Sequence, residues 1–181
     1  MKGHLFRILF ALSILPLTVC IAGDSTQTTL FWVNAGIGPT TSGLSYGLGA
    51  TYQKANNVLS IRFSYAEEAS GSGNTPREYV QELSLLYGIN IAAANELTSF
   101  AAGLSLVKGR DRGRYLYSSS GFFGTIKYHE SLDFQTVGLA METQLFWRPL
   151  SFLGIGIIIH GNVNTKRTFA GGILCLQLIS S

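Results

Sequence analysis

Residues 133–161 read DFQTVGLAMETQLFWRPLSFLGIGIIIHG, and the pattern in this stretch decides the fold. Val137, Leu139, Met141, Thr143, Leu145 and Trp147 share one parity, and Thr136, Gly138, Ala140, Glu142 and Gln144 share the other. After Arg148-Pro149-Leu150-Ser151 the alternation resumes, with Leu153, Ile155, Ile157 and Ile159 against Gly154, Gly156, Ile158 and His160. Side chains on a β-strand alternate between two faces, so each half is a strand with one bulky apolar face and one small or polar face. The intervening segment, which carries a proline, is a tight turn.

The same split recurs along the chain. Segments 29–38, 44–54, 58–68, 78–91, 97–108 and 168–179 each set aromatic and branched residues against Gly, Ser, Thr and Ala. With the two strands of the quoted hairpin this makes eight strands, long enough to cross a bilayer when tilted. Short turn signals at Asn56-Asn57 and 93–96 alternate with longer polar connections at 70–76 and 109–132. That alternation matches the short inner turns and longer outer loops of membrane barrels.

Which face looks outward follows from chemistry. A soluble barrel would put Lys and Glu on its water-facing side, yet the small face carries few charges and the bulky face none at mid-strand. Glycine and hydroxyl residues suit a crowded interior, where large groups from eight strands would collide. Tyr46, Tyr65 and Tyr79 fall near one end of the bulky face, and Tyr52, Tyr87, Phe100 and Trp147 near the other, as two interfacial girdles. The expected fold is therefore all-β: an eight-stranded antiparallel up-and-down transmembrane β-barrel preceded by a signal peptide.

Composition agrees. Of 181 residues, 21 are Gly and only 13% are charged, about half the share usual in soluble proteins. Residues 1–22 carry a positive start (Lys2, Arg7), an apolar run and a small-residue exit, the marks of an export signal, which leaves 23–181 as one barrel domain. Cys20 also offers a weak lipidation motif, disfavoured because Val19 stands where a small residue is wanted. Without Lys2 and Arg7, 11 basic side chains face 10 acidic ones, so the basic pI says almost nothing about nucleic acid, and no nucleic-acid partner is expected. Loss of Cys20 leaves Cys175 alone, and an exported chain without a disulfide needs another source of stability, which a closed barrel supplies.

The segments 144–156 (QLFWRPLSFLGIG) and 169–176 (FAGGILCL) resemble small eight-stranded outer-membrane barrels of Gram-negative bacteria, and in particular proteins of this type from Bacteroidota. The resemblance implies residence in the bacterial outer membrane, contact with its lipids and with lipopolysaccharide, and delivery by the outer-membrane assembly machinery. It implies no activity and no cofactor. The chain departs from the common pattern at its end, which runs Ile179-Ser180-Ser181 rather than closing on an aromatic residue.

Three groups of residues are candidates for chemistry. Arg62, Glu82 and Glu142 all take the interior parity, and buried charges need partners, so Arg62 is expected to pair with one or both carboxylates as a structural plug. Arg110, Arg112 and Arg114, with Lys108 and a single Asp111, form the one charge cluster; they end a solvated loop or contact anions such as lipopolysaccharide phosphates. His160, expected near the outer rim and satisfied by loop polar groups, and His129-Glu130-Ser131 with Ser118-Ser119-Ser120 offer a remote Ser–His possibility for lipid chemistry. No metal-ligand cluster or phosphate-binding loop is legible. The expected role is structural or surface-interacting and non-enzymatic; a small-solute channel and a lipid-modifying enzyme are the alternatives.

Overall fold

The computed structural model describes residues 29–68, 73–93, 95–122 and 124–180. The expected export signal and Cys20 lie outside them. Among the described residues nine strands are present: β1 (Thr29–Thr40), β2 (Gly43–Lys54), β3 (Asn57–Glu67), β4 (Asn74–Thr75), β5 (Tyr79–Ala93), β6 (Glu96–Gly121), β7 (Gly124–Leu150), β8 (Leu153–Asn164) and β9 (Phe169–Ser180). All but the two-residue β4 pair antiparallel with their neighbours, and β9 returns to β1, so eight strands close into a ring. Closure satisfies every edge, the condition for strands to cross lipid.

The parity argument holds in three dimensions. Leu139, Ile157 and Leu174 are 60%, 47% and 62% exposed on the outer wall. Ser60, Ser84, Ser99 and Thr51 are buried in the lumen. Tyr46 and Tyr65 are cross-strand partners at one end of that wall, and the Tyr65 and Tyr79 rings stack with centroids 6.1 Å apart. At the other end Tyr52 and Leu59 pair, and Leu59 in turn pairs with Tyr87.

The interior is not filled by small residues alone. Trp32, Leu86, Leu97, Phe146, Ile158 and Ile173 form a buried apolar plug toward the end that carries the short turns. A second, smaller apolar layer of Val80, Val107 and Phe169 closes the lumen toward the other end. Glycine makes room for this bulk: a Cβ at Gly47 would lie 2.9 Å from Ile173 Cδ1, and one at Gly36 2.7 Å from Ile173 Cγ2.

Two boundaries differ from the sequence expectation. The turn after β7 falls at Ser151–Phe152, with a register irregularity between Trp147 and Leu150, because Arg148 still ladders: its N–H donates to the Asn95 carbonyl at 2.7 Å. More substantially, residues 109–132, expected as a polar loop, continue β6 and β7 as a paired ribbon as far as Gly121 and Gly124. The last β5–β6 pair is Tyr79 with Arg110, so the ribbon extends about 35 Å beyond the barrel at strand rise. Tyr, Thr and Ile in this segment favour strands, and Gly124, at φ +120°, takes the turn. Both ribbon faces meet solvent, so the sequence there shows no apolar alternation.

Candidate functional site

The lumen between the two apolar layers holds the charges. Arg62, on β3, Glu82, on β5, and Glu142, on β7, are 2%, 1% and 5% exposed. Arg62 Nη2 donates to Glu82 Oε2 at 3.0 Å and Nη1 to Glu142 Oε2 at 2.6 Å. The remaining carboxylate capacity is also used. Ser64 Oγ donates to Glu82 Oε2, Asn162 Nδ2 to Glu82 Oε1 at 2.8 Å, and Gln144 Nε2 to Glu142 Oε1. Trp32 Nε1 donates to Gln144 Oε1 at 3.2 Å, which ties the apolar plug to the network. Ion pairs removed from water survive only with such dense hydrogen bonding, because their desolvation cost rivals their attraction. In this network both carboxylates serve as hydrogen-bond acceptors.

His160 differs from its expected setting. It is buried in the lumen, 3% exposed, with Glu142 and Gly171 as its strand partners and the Phe169 ring edge-on at 6.4 Å. Loop polar groups do not reach it, and neither ring nitrogen makes a hydrogen bond among the described residues. His129 sits on the ribbon, against the edge of Tyr115 at 5.6 Å, and Ser118 to Ser120 lie further out still. Roughly 40 Å of strand separates His129 from the level of His160, so the Ser and His candidates do not meet across the lumen.

A chain of ion pairs spans the long-loop mouth. Arg112 Nη2 meets Glu68 at 2.9 Å and its Nε meets Glu78 at 3.2 Å. Arg167 Nη1 reaches Glu78 at 3.1 Å and Asp111 at 2.6 Å. Glu68–Arg112–Glu78–Arg167–Asp111 thus links the β3–β5 connection, the base of the ribbon and the β8–β9 connection. Sequence reasoning found Arg112 here but missed Arg167, Glu68 and Glu78, because three separate connections bring them together.

Of the other two clustered arginines, Arg110 Nε donates to Asp133 Oδ1 at 2.7 Å, and its guanidinium lies over the Tyr79 ring. Arg114 is exposed. The cluster therefore offers less free positive charge than its sequence implies. The hydrogen bond from Arg110, with its charge, holds the Asp133 carboxyl below the ordinary aspartate value of 3.8. A carboxyl whose folded pKa is lowered contributes to folding above its unfolded value and loses that contribution as pH falls through the folded one. The Arg110–Asp133 pair is expected to hold down to about pH 4 and to be lost only below it. A carbon NMR titration of the Asp133 carboxyl is the check; a midpoint at or above the ordinary value would remove the pairing.

No protein-family model matches the chain, and no curated protein matches it. Solved structures do. A major outer membrane protein from Thermus thermophilus superposes with a TM-score of 0.62 at 9% identity, over 84% of this chain and 100% of that one. Neisserial surface protein A gives 0.56 at 10% identity, over 83% and 95%. Ail, the attachment invasion locus protein of Yersinia pestis, gives 0.55 at 10% identity, over 84% and 97%. At these identities the likeness is one of fold: the chain has the architecture of the small outer-membrane β-barrels.

Proposed function

We propose that this protein is an outer-membrane surface protein, in which a closed, side-chain-filled barrel anchors a projecting ribbon and a cross-linked mouth. The observation that carries the proposal is the occupied lumen. A desolvated Arg62–Glu82–Glu142 network lies between two apolar layers, while the β6–β7 ribbon stands clear of the barrel. A barrel of eight strands leaves an interior just wide enough for side chains to fill it.

On this reading the chain is exported through residues 1–22, is inserted by the outer-membrane assembly machinery, and is of the type found in Bacteroidota. Its outer wall contacts membrane lipids. Arg110, Arg112 and Arg114 stand at the level of lipopolysaccharide phosphates, with Arg114 the most available of the three. The protein has no catalytic role; both lumen carboxylates already accept hydrogen bonds from Arg62 and neutral donors.

The test is electrical and electrophoretic together. Folded protein is expected to migrate as a heat-modifiable band from the membrane fraction and to give no steady unit openings in planar bilayers. Steady openings would replace this reading with a small-solute channel, and a change in lipid A mass on expression would replace it with an enzyme.

A further inference from the structure

The distal ribbon is chemically unlike the rest of the outer surface. From Arg112 to His129 the sequence contains Arg112, Arg114 and Lys127 and no Asp or Glu. Its end reads Gly121-Phe122-Phe123-Gly124, and Phe122 is 98% exposed, more than any other large apolar residue described. Behind it come hydroxyls, with Ser120 and Thr125 hydrogen-bonded across the strands at 3.1 Å. Behind those, the rings of Tyr117 and Tyr128 stack with centroids 4.6 Å apart, beside Lys127. The order from the end inward is therefore apolar, hydroxyl, then amphipathic ring with cation. A bilayer offers the matching order outward from its interior, from acyl chain through glycerol ester to anionic phosphate.

The ribbon is also built to hold this end away from its own membrane. Cross-strand pairing runs unbroken from Ser118 with Lys127 to Gly121 with Gly124. Asn74 and Thr75 add a parallel strand against Lys127 and Tyr128, bracing β7 near its far end. The outer girdle at Tyr65 and Tyr79 fixes where the barrel's own lipid stops, and the ribbon end lies about 35 Å beyond it.

We propose that the end of the β6–β7 ribbon docks on an anionic phospholipid surface other than the membrane the barrel spans. Phe122 enters the acyl boundary, while Lys127, which pairs with Ser118 close behind the ribbon end, meets the phosphates. Aromatic residues favour this interface, and cations near an anionic surface add attraction that salt screens. The proposal rests on the surface-protein reading above and adds the chemistry of the partner.

The test uses the full chain folded in nanodiscs of zwitterionic lipid, mixed with separate vesicles and separated by flotation. Vesicles containing phosphatidylglycerol are expected to carry the nanodiscs upward, pure phosphatidylcholine vesicles much less, and added salt to reduce the difference. Phe122→Ser is expected to weaken capture roughly tenfold, by the apolar area it removes from the contact. Lys127→Ser is expected to weaken capture by anionic vesicles and to leave the weak zwitterionic capture unchanged. Both variants should keep the heat-modifiable band, since both sites lie far from the barrel. Folded protein that fails to float with anionic vesicles overturns the proposal and leaves the barrel reading intact. So does undiminished capture of Phe122→Ser, capture by lipopolysaccharide micelles alone, or association of the nanodiscs with one another in the absence of vesicles. A parent protein with no heat-modifiable band overturns both readings.

Discussion

Replacing Arg62 with Met is expected to destabilise the barrel by about 3–5 kcal/mol, among the largest effects a single substitution can have here. The guanidinium is the only cation that the described residues place against two buried carboxylates. Without it, Glu82 and Glu142 face each other across a space that apolar layers seal from water on both sides. Screening by salt cannot help, because neither carboxylate reaches solvent. Uptake of a proton by one of them relieves the repulsion, but the hydrogen-bond donors around it still expect an acceptor. The urea midpoint in lipid vesicles should therefore fall, and the heat-modifiable band should convert at lower temperature. Adding Glu82→Gln and Glu142→Gln to the same variant should recover much of the loss, because neutral amides leave no uncompensated charge. An unchanged midpoint in Arg62→Met would remove the network from the account of stability. Arg110→Ala, which breaks the exposed pair with Asp133, should have a far smaller effect on the same midpoint, since exposed ion pairs contribute little.

The contrast between these two arginines shows what strand periodicity can and cannot reveal. Parity alone put Arg62, Glu82 and Glu142 on the inner face, because successive side chains must alternate. Their hydrogen-bond partners were hidden. Asn162 reaches Glu82 and Trp32 reaches Gln144 across 80 and 112 residues of sequence, and barrel closure alone sets those meetings. Periodicity gives a residue's face and not its height. Trp32, Ile158 and Ile173 thus read as exceptions on a small-residue face, when they belong to one buried apolar plug. The ribbon was hidden for a different reason. Where both faces of a strand pair meet water, no selection for alternation operates, and Tyr, Ser and Thr in succession read as loop. Parity gives the face of His160 but not its company, since the edge-on Phe169 ring and not a polar loop lies beside it.

Replacing Leu139 with Arg tests the outward-facing assignment itself. Leu139 lies at mid-strand on β7, between Leu104 of β6 and Val163 of β8, and is 60% exposed on the outer wall. If that wall faces lipid, a guanidinium there sits near the bilayer midplane. The long side chain must then reach to an interface or draw water inward, at a cost of roughly 2–4 kcal/mol. The expected result is a clear fall in the urea midpoint of vesicle-reconstituted barrel. Leu116 supplies the control. It is 51% exposed, nearly as much as Leu139, but lies on the ribbon beyond the tyrosine girdle. Leu116→Arg should leave the midpoint unchanged, because water surrounds that position before and after unfolding. The two leucines differ little in exposure and in residue type, so only the solvent distinguishes them. Equal responses would mean that both meet water, and the membrane assignment of the outer wall would fall. A loss confined to Leu139→Arg would identify hydrocarbon as the medium in which this barrel's large side chains are dissolved.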